Sequence, residues 1–268
     1  MAADLFDLSG RVAVVTGAAA GIGRGIALGL ARHGADVAAC DVDETGLAAT
    51  IRGVTEVGRR GLAVRCDVGR PEEIEAFFGE IDRSFGRVDV LVNNVGHTAR
   101  ARPEEQTLAE WNFVLATGVT ASFLCAQAAG RRMMAGGRGG SIVNIGSIAG
   151  VLALGRGNFV HSVNKGAVNQ FTRELAVEWA KHKIRVNAIL PCQVVTEGFQ
   201  RWLDSPGFDP ALMERFLQGI PMNRLATAED MVGPAVFLAS DAAAMVTGTL
   251  LPVDGGNLAL NAGGSHTW

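Results

Sequence analysis

The chain of 268 residues contains no tyrosine, and paired cysteines are also missing. Its four cysteines are Cys40, Cys66, Cys125 and Cys192, and none lies in a C-x-x-C pair. This spacing excludes the common zinc and dithiol signatures, and we therefore predict no metal site. Scattered cysteines in a chain without a secretory leader predict reduced thiols and a cytoplasmic protein.

An excess of charge of either sign is lacking as well. The chain has 24 basic and 27 acidic residues, a formal net charge of −3, and no block of like charges. Its sequence predicts no nucleic-acid partner and no membrane partner, since its apolar runs are shorter than the ~20 residues of a membrane span. The apolar fraction of 48% suits one sizeable core. We predict a single domain over residues 1–268 that acts on a small molecule.

Short apolar runs alternate with longer segments of helical period. The runs lie at residues 12–15, 36–40, 62–66, 88–92, 141–145, 185–190 and 250–253, and the longest helical segments at 108–134 and 162–181. This alternation predicts an α/β fold with a Rossmann-type doubly wound parallel sheet of about seven strands and helices on both faces. Residues 197–223 interrupt the alternation. A lid over a ligand site and a helix packed on the core both fit this segment.

A glycine-rich turn follows the first predicted strand and opens the first helix. The sequence TGAAAGIG at 16–23 includes Gly17, Ala20, Gly21, Ile22 and Gly23. Such a turn brings backbone N–H groups and a helix N-terminus to a pyrophosphate, which predicts a dinucleotide site.

The second predicted strand is followed by Asp41, about 20 residues beyond the glycine turn. A carboxylate at this place binds ribose hydroxyls and repels a 2′-phosphate. We therefore predict that NAD is preferred over NADP. The alternative for Asp41 is a cap on the following helix.

Motifs along nearly the whole chain resemble those of the short-chain dehydrogenase/reductase family. Besides the glycine turn, they are DV at 67–68, NNVG at 93–96, GSIVNIGSIAG at 140–150, RVNAILP at 185–191 and PVDGG at 252–256. The resemblance implies hydride transfer between a nicotinamide cofactor and an alcohol or ketone. It also implies cofactor contacts from Asp67, Val68, Asn94, Gly96, Pro191 and Thr196.

The resemblance covers the family's catalytic residues only in part. It places the catalytic serine at Ser147, and at Lys165 the lysine that also holds the nicotinamide ribose. His161 stands where the family has the tyrosine of Tyr-x-x-x-Lys, and Gly118 where it has an asparagine that anchors a relay water. Histidine transfers protons, and the Lys165 cation favours its neutral form. We predict Ser147, His161 and Lys165 as the catalytic set.

Several further residues are candidates for the substrate pocket. His97 follows NNVG, Cys192 follows the proline of the sixth strand, and Phe199 and Trp202 lie in the predicted lid. The aromatic and aliphatic residues near the pocket edge favour a small, mainly apolar substrate. His97 and His161 could form an acid/base pair, and an ordinary loop residue is the alternative for His97.

Three functions remain open on the sequence alone. The first is an NAD-dependent oxidoreductase with His161 as proton carrier. The second is a redox-neutral isomerase, cyclase or lyase that uses His161 as acid and base. The third is a non-catalytic nucleotide-binding protein. The family resemblance also implies a homotetramer or homodimer paired through the helical segments 108–134 and 162–181.

Overall fold

A computed structural model describes residues 4–206 and 208–260. Its main sheet has seven parallel strands in the order β3-β2-β1-β4-β5-β6-β9. The described strands are β1 Val12–Thr16, β2 Asp36–Asp41, β3 Gly61–Arg65, β4 Val90–Asn93, β5 Gly140–Ile145, β6 Ile184–Pro191, β7 Val194–Val195, β8 Ala226–Thr227 and β9 Leu250–Val253. The predicted single-domain, doubly wound α/β fold with seven strands is confirmed.

Helices cover both faces of this sheet. They are α1 Gly21–Arg32, α2 Glu44–Glu56, α3 Pro71–Ser84, α4 Leu108–Leu115, α5 Ala121–Gly136, α6 Phe159–Trp179, α7 Glu197–Leu203, α8 Pro210–Gln218 and α9 Val232–Ala239. One core cluster includes Ile26 of α1 and Val236 of α9, and the other includes Phe77 of α3 and Met133 of α5. The central strands are buried on both sides, which explains their continuous apolar runs.

The predicted helical segment 108–134 is not one regular α-helix. α4 and α5 are joined by a π-turn over Ala116–Thr120, where the helix takes one extra residue per turn. The sequence pattern missed this turn because apolar periodicity hardly changes over a single turn. By length and composition Leu108–Gly136 resembles a membrane span, but half of its most apolar window is buried against the rest of the protein.

Most predicted strands and helices differ from the observed ones by one to three residues at their ends, as α6 and β4 show. α6 begins at Phe159, three residues before the predicted start at Ser162, and β4 begins at Val90 rather than at Val88. The segment 197–223 contains α7 and α8, and Val194–Val195 pairs with Ala226–Thr227 at its base. A short two-stranded sheet therefore ties together the two ends of this helical excursion.

Candidate active site

A cleft of about 360 Å³ opens at the carboxyl ends of β1, β2 and β4. This edge, where the strand order reverses, is where open α/β sheets bind ligands. The cleft brings together ten of the predicted cofactor residues: Gly17, Ala20, Gly21, Ile22, Asp41, Asp67, Val68, Asn94, Gly96 and Thr196. Gly23 and Pro191 lie outside its lining, and so does Lys165.

The glycine turn has a backbone that only glycine adopts easily. Gly17 and Gly21 have φ values of 66° and 54°, in the left-handed region. A Cβ on Gly23 would overlap the carbonyl oxygen of Gly17, so Gly23 acts through close packing rather than by facing the cleft. The turn brings the N-terminus of α1 to the edge of the cleft, and the glycine turn fits the pyrophosphate of a dinucleotide.

Hydrogen bonds from β2 and β4 hold the glycine turn in place. The Nδ2 of Asn94 donates to the carbonyls of Thr16 and Gly17 at 3.0 and 2.9 Å. The Oδ2 of Asp41 accepts from the N–H of Ala19 at 2.9 Å, and its Oδ1 accepts from Asp43 at 3.1 Å. Asn94 therefore serves the site as a clamp. Asp41 lines the cleft at the end of β2, where a ribose would lie.

A carboxylate from the start of α7 also reaches the glycine turn. The Oε2 of Glu197 accepts a hydrogen bond from the N–H of Gly21 at 2.9 Å. This N–H belongs to the first residue of α1, which is one of the donors available to a pyrophosphate. Glu197 was not identified from the sequence, because its partner lies 176 residues earlier in the chain.

Lys165, predicted to hold the nicotinamide ribose, lies behind Gly96 at one end of the cleft. The side chain of Lys165 is 5% exposed, and its Nζ donates to the carbonyl of Ile145 at 2.6 Å. A Cβ on Gly96, a residue that lines the cleft, would lie 3.1 Å from this Nζ. Burial lowers the pKa of Lys165 to about 8, so the ammonium is the main form at neutral pH.

His161 lies one turn before Lys165 on the same face of α6. Burial, and then the charge of Lys165, lower the pKa of His161 to about 4. The ring is therefore neutral at neutral pH, as the sequence predicted. Its Nδ1 faces the backbone carbonyl of His97 at 3.5 Å, a weak contact at the limit of hydrogen bonding. A carbonyl only accepts, so this contact favours the tautomer in which Nε2 is free to take a proton.

The backbone carbonyl of His97 approaches His161, whereas the ring of His97 contacts Thr117 and Phe113. The Nδ1 of His97 lies 3.1 Å from the Oγ1 of Thr117, and that hydroxyl donates to the carbonyl of Phe113. The ring also packs against Phe113, with centroids 4.8 Å apart. Burial lowers the pKa of His97, against the opposing effect of Asp67 and Asp41. The described contacts give the two imidazoles no direct hydrogen bond to each other.

Ser147 begins the loop that follows β5. Its Oγ accepts from the N–H of Ala149 at 3.1 Å and so caps the short turn Ile148–Gly150. A Cβ on Gly150 would come within 2.6 Å of the Lys165 carbonyl, which shows how closely this loop packs on α6. The predicted trio Ser147, His161 and Lys165 thus lies on two neighbouring elements, α6 and the β5 loop.

The predicted pocket residues lie in three places: His97 lines the cofactor cleft, Phe199 and Trp202 belong to α7, and Cys192 borders another cavity. Phe199 and Trp202 stack at 5.3 Å in an aromatic cluster of α7 and α8 that includes Phe216. Cys192 does not line the cofactor cleft. It borders a separate cavity with Met222 and Asp254, because the chain turns away from the sheet after Pro191. Burial, and then the charge of Asp254, raise the pKa of the Cys192 thiol.

Two arginines face the aromatic cluster, and the sequence reasoning missed both. The guanidinium of Arg100 lies 4.2 Å from the ring centroid of Trp202, and that of Arg156 lies 4.7 Å from that of Phe216. Within residues 4–206 and 208–260, neither has a carboxylate within ion-pair distance. Their positions three residues after His97 and five before His161 are the only sequence signal that could have indicated them.

Comparisons with known proteins agree with this geometry. A family model described as enoyl-(acyl carrier protein) reductase matches residues 17–257. D-threitol dehydrogenase of Mycolicibacterium smegmatis is 42% identical over 255 residues, which are 94% of either chain. The 2-dehydro-3-deoxy-D-gluconate 5-dehydrogenase of Escherichia coli is 38% identical over 256 residues, 95% of this chain and 98% of its own.

A solved structure extends the comparison. The crystal structure of a gluconate 5-dehydrogenase from Burkholderia cenocepacia, in complex with NADP and tartrate, superposes with a TM-score of 0.89. It is 32% identical and covers 96% of this chain and 99% of that one. The family match and the two curated relatives span almost the whole chain. The chain belongs to the short-chain dehydrogenase/reductase family of oxidoreductases.

Proposed function

We propose that this enzyme transfers a hydride between NAD(H) and a hydroxyl or keto group of a small polyhydroxylated carboxylate, with His161 as the proton carrier. The observation that supports it best is the packing of Lys165 against Gly96, which joins the cofactor cleft to the α6 face that carries His161. The dehydrogenase names of the relatives favour this function over the redox-neutral and non-catalytic hypotheses.

Ser147, Lys165 and His161 each have a separate role in the proposed reaction. The nicotinamide, when bound, supplies the hydride chemistry. Ser147 donates a hydrogen bond to the substrate oxygen, and the ammonium of Lys165 binds the nicotinamide ribose. His161 takes the hydroxyl proton at Nε2 during oxidation and returns it during reduction. Its neutral form, the main one above pH 4, is the form that accepts the proton.

The positions of the two arginines support the proposal that the substrate carries a carboxylate. Arg100 and Arg156 are held by aromatic rings rather than by acidic partners. Burial, and then the charge of Arg100, lower the pKa of Arg156, as expected for two cations that face one region. Arginine forks bind carboxylates well. We therefore propose a charged polyol, whereas the sequence favoured a mainly apolar substrate. The aromatic rings that suggested an apolar pocket also pack against the guanidinium groups of Arg100 and Arg156.

The preference for NAD over NADP is also proposed. It rests on the Asp41 carboxylate at the cleft, which would repel a 2′-phosphate. The gluconate 5-dehydrogenase structure from Burkholderia cenocepacia holds NADP, so the proposed preference needs direct titration with both cofactors. Tighter binding of NADPH than of NADH would contradict the proposed preference.

Oligomerisation is proposed from exposed apolar side chains on α4, α5 and α6. Phe113, Phe123 and Val177 are 52%, 44% and 78% exposed. Pairing by a two-fold axis would bury the same helical face on both copies. We expect a dimer or tetramer by light scattering, and a monomer at micromolar concentration would contradict it. The cytoplasmic location stays a prediction.

The substrate proposal is tested with matched pairs of compounds. Formation of NADH is followed by absorbance with a six-carbon aldonate and with the corresponding uncharged hexitol. We expect the aldonate to have a KM at least about tenfold lower, since a charged hydrogen bond contributes ~1.5–3 kcal/mol. Arg156→Met is expected to raise the KM for the aldonate alone. Equal KM values in the wild-type enzyme would contradict the carboxylate, and turnover without net NADH would favour a redox-neutral reaction.

A further inference from the structure

The side chain of Asn164 fills the space beside Gly118. A Cβ built on Gly118 would overlap the Nδ2, Oδ1 and Cγ atoms of Asn164. Gly118 lies in the π-turn between α4 and α5, and Asn164 lies on α6. A carboxamide therefore occupies the place where a side chain at position 118 would start, but it comes from a different helix.

The carboxamide of Asn164 is bound at one end and open at the other. Its Oδ1 accepts from the N–H of Val119 at 2.8 Å, which ties the π-turn to α6. Its Nδ2 has no hydrogen-bond partner among the described residues, although the side chain is 0% exposed. An unpaired buried donor is unfavourable, and folded proteins satisfy such groups with other protein atoms or with an ordered water.

Asn164 lies next to the predicted catalytic residues on α6. It follows His161 by three residues and Lys165 follows His161 by four, so both are neighbours of His161 on the helix surface. The side chains of Asn164 and Lys165 are both buried. The ring of His161 is partly exposed, and once substrate and cofactor cover it a proton taken up there needs a polar path to leave the site.

We propose that Asn164 is a positioning residue that replaces, from α6, the asparagine missing at position 118. Its Oδ1 fixes the π-turn, and its Nδ2 holds a water that exchanges protons between the site and solvent. The relay rests on the proposed function. When a hydroxyl is oxidised, its carbon would give a hydride to NAD⁺, Nε2 of His161 takes the O–H proton, and the water passes one proton on to solvent, so that electrons and protons both balance.

A double-mutant cycle tests whether Asn164 occupies the space that a side chain at position 118 would need. Gly118→Asn alone is expected to lower the melting temperature, because its side chain would overlap Asn164. In Asn164→Ser that space is free, so adding Gly118→Asn is expected to lower the melting temperature much less. If Gly118→Asn has the same effect on the melting temperature in both backgrounds, the proposal is overturned, whatever reaction the enzyme performs.

The same variants test the relay. Asn164→Ser is expected to lower kcat about tenfold or more and to change its pH profile, with NAD affinity nearly unchanged. Adding Gly118→Asn to Asn164→Ser is expected to recover most of the lost kcat. The control is Asn187→Ser, which removes an equally buried asparagine bound to Val246 and Thr249 and is expected to lower stability without altering the pH profile. A double variant no faster than Asn164→Ser contradicts the relay.

A high-resolution crystal structure separates this proposal from the proposed function. We expect an ordered water within ~3 Å of Asn164 Nδ2 in the wild-type protein, and its absence would overturn the water-binding role. If this water and the stability coupling are both found while the protein oxidises no polyol, the proposed function fails and the placement of Asn164 stands.

Discussion

The cofactor cleft, formed mainly by residues between β1 and β4, is positioned in a different way from the proposed catalytic residues, which lie from β5 onward. In the first, the cofactor cleft is built largely from backbone, with glycine φ values and side-chain clamps such as Asn94 to the Thr16 and Gly17 carbonyls. In the second, the proposed chemistry depends on side chains such as those of His161 and Asn164 on α6. The glycine turn tolerates little change, because the φ values of Gly17 and Gly21 are ones that only glycine adopts easily. A side-chain site can exchange residues between neighbouring helices while its frame stays intact.

The largest expected effect is on catalysis in the β5–α6 region. His161→Ala is expected to lower kcat by ~10²–10⁴-fold, the range for loss of a general acid/base, while NAD affinity stays nearly unchanged. Steady-state kinetics and a cofactor titration measure the two. His182→Ala, at an exposed position after α6, is the control. A loss of less than about tenfold in His161→Ala would remove His161 from the mechanism.

The second prediction concerns stability between pH 6.5 and pH 4. His161 has its ordinary pKa of 6.5 when unfolded and about 4 in the fold, so the unfolded chain binds more protons in this window. Stability therefore falls as the pH drops from 6.5 to 4, by up to about 3 kcal/mol, reduced by solvent screening of the partly exposed ring. Denaturant unfolding of the wild type and His161→Gln is compared at both pH values. An equally steep loss in His161→Gln would contradict the low pKa.

A third prediction concerns the cofactor cleft. Glu197→Gln is expected to tighten NADH binding about tenfold, because the Glu197 carboxylate now accepts from Gly21 N–H and would repel a pyrophosphate by ~1 kcal/mol or more. Fluorescence titration of NADH measures the change. Glu214→Gln, an exposed acid on α8, controls for net charge. Weaker binding in Glu197→Gln would show instead that Glu197 contacts the cofactor favourably.

The smallest effect is expected at Asp41. Asp41→Ala is expected to narrow the ratio of NAD to NADP affinity by roughly fivefold, about 1 kcal/mol, because ribose hydrogen bonds and charge repulsion are lost together. Parallel titrations with NADH and NADPH measure the ratio. An unchanged ratio would leave Asp41 only its structural hydrogen bonds to Ala19 and Asp43.

The sequence predicted the sheet, the glycine turn and Asp41 from local patterns, whereas the other predicted residues of the cofactor cleft came from the family resemblance. Apolar runs marked the strands, and the spacing from Gly17 to Asp41 identified residues that the fold brings together. The contacts of Glu197 and Asn164 join residues 176 and 45 positions apart, and no local pattern encodes such pairs. Cys192 was placed by analogy with its neighbour Pro191, but the chain leaves the sheet at this point.

The two family residues missing at positions 161 and 118 cannot be reintroduced independently of Asn164. His161→Tyr supplies the phenol that the family uses beside Lys165. Gly118→Asn cannot simply be added to it, because Asn164 already fills that space. We expect His161→Tyr to retain activity better when Gly118→Asn and Asn164→Ser are introduced together than when Gly118→Asn is introduced alone.

The pH profile of kcat/KM for aldonate oxidation by NAD tests the central claim most directly. With a His161 pKa of about 4, the base is already unprotonated at mildly acidic pH. The wild-type profile is therefore expected to be flat from about pH 5 to pH 7, whereas His161→Tyr is expected to lose activity over this range as its phenol stays protonated. A wild-type profile that falls steeply below pH 7, and falls in the same way in His161→Gln, would contradict the role of His161 as proton carrier.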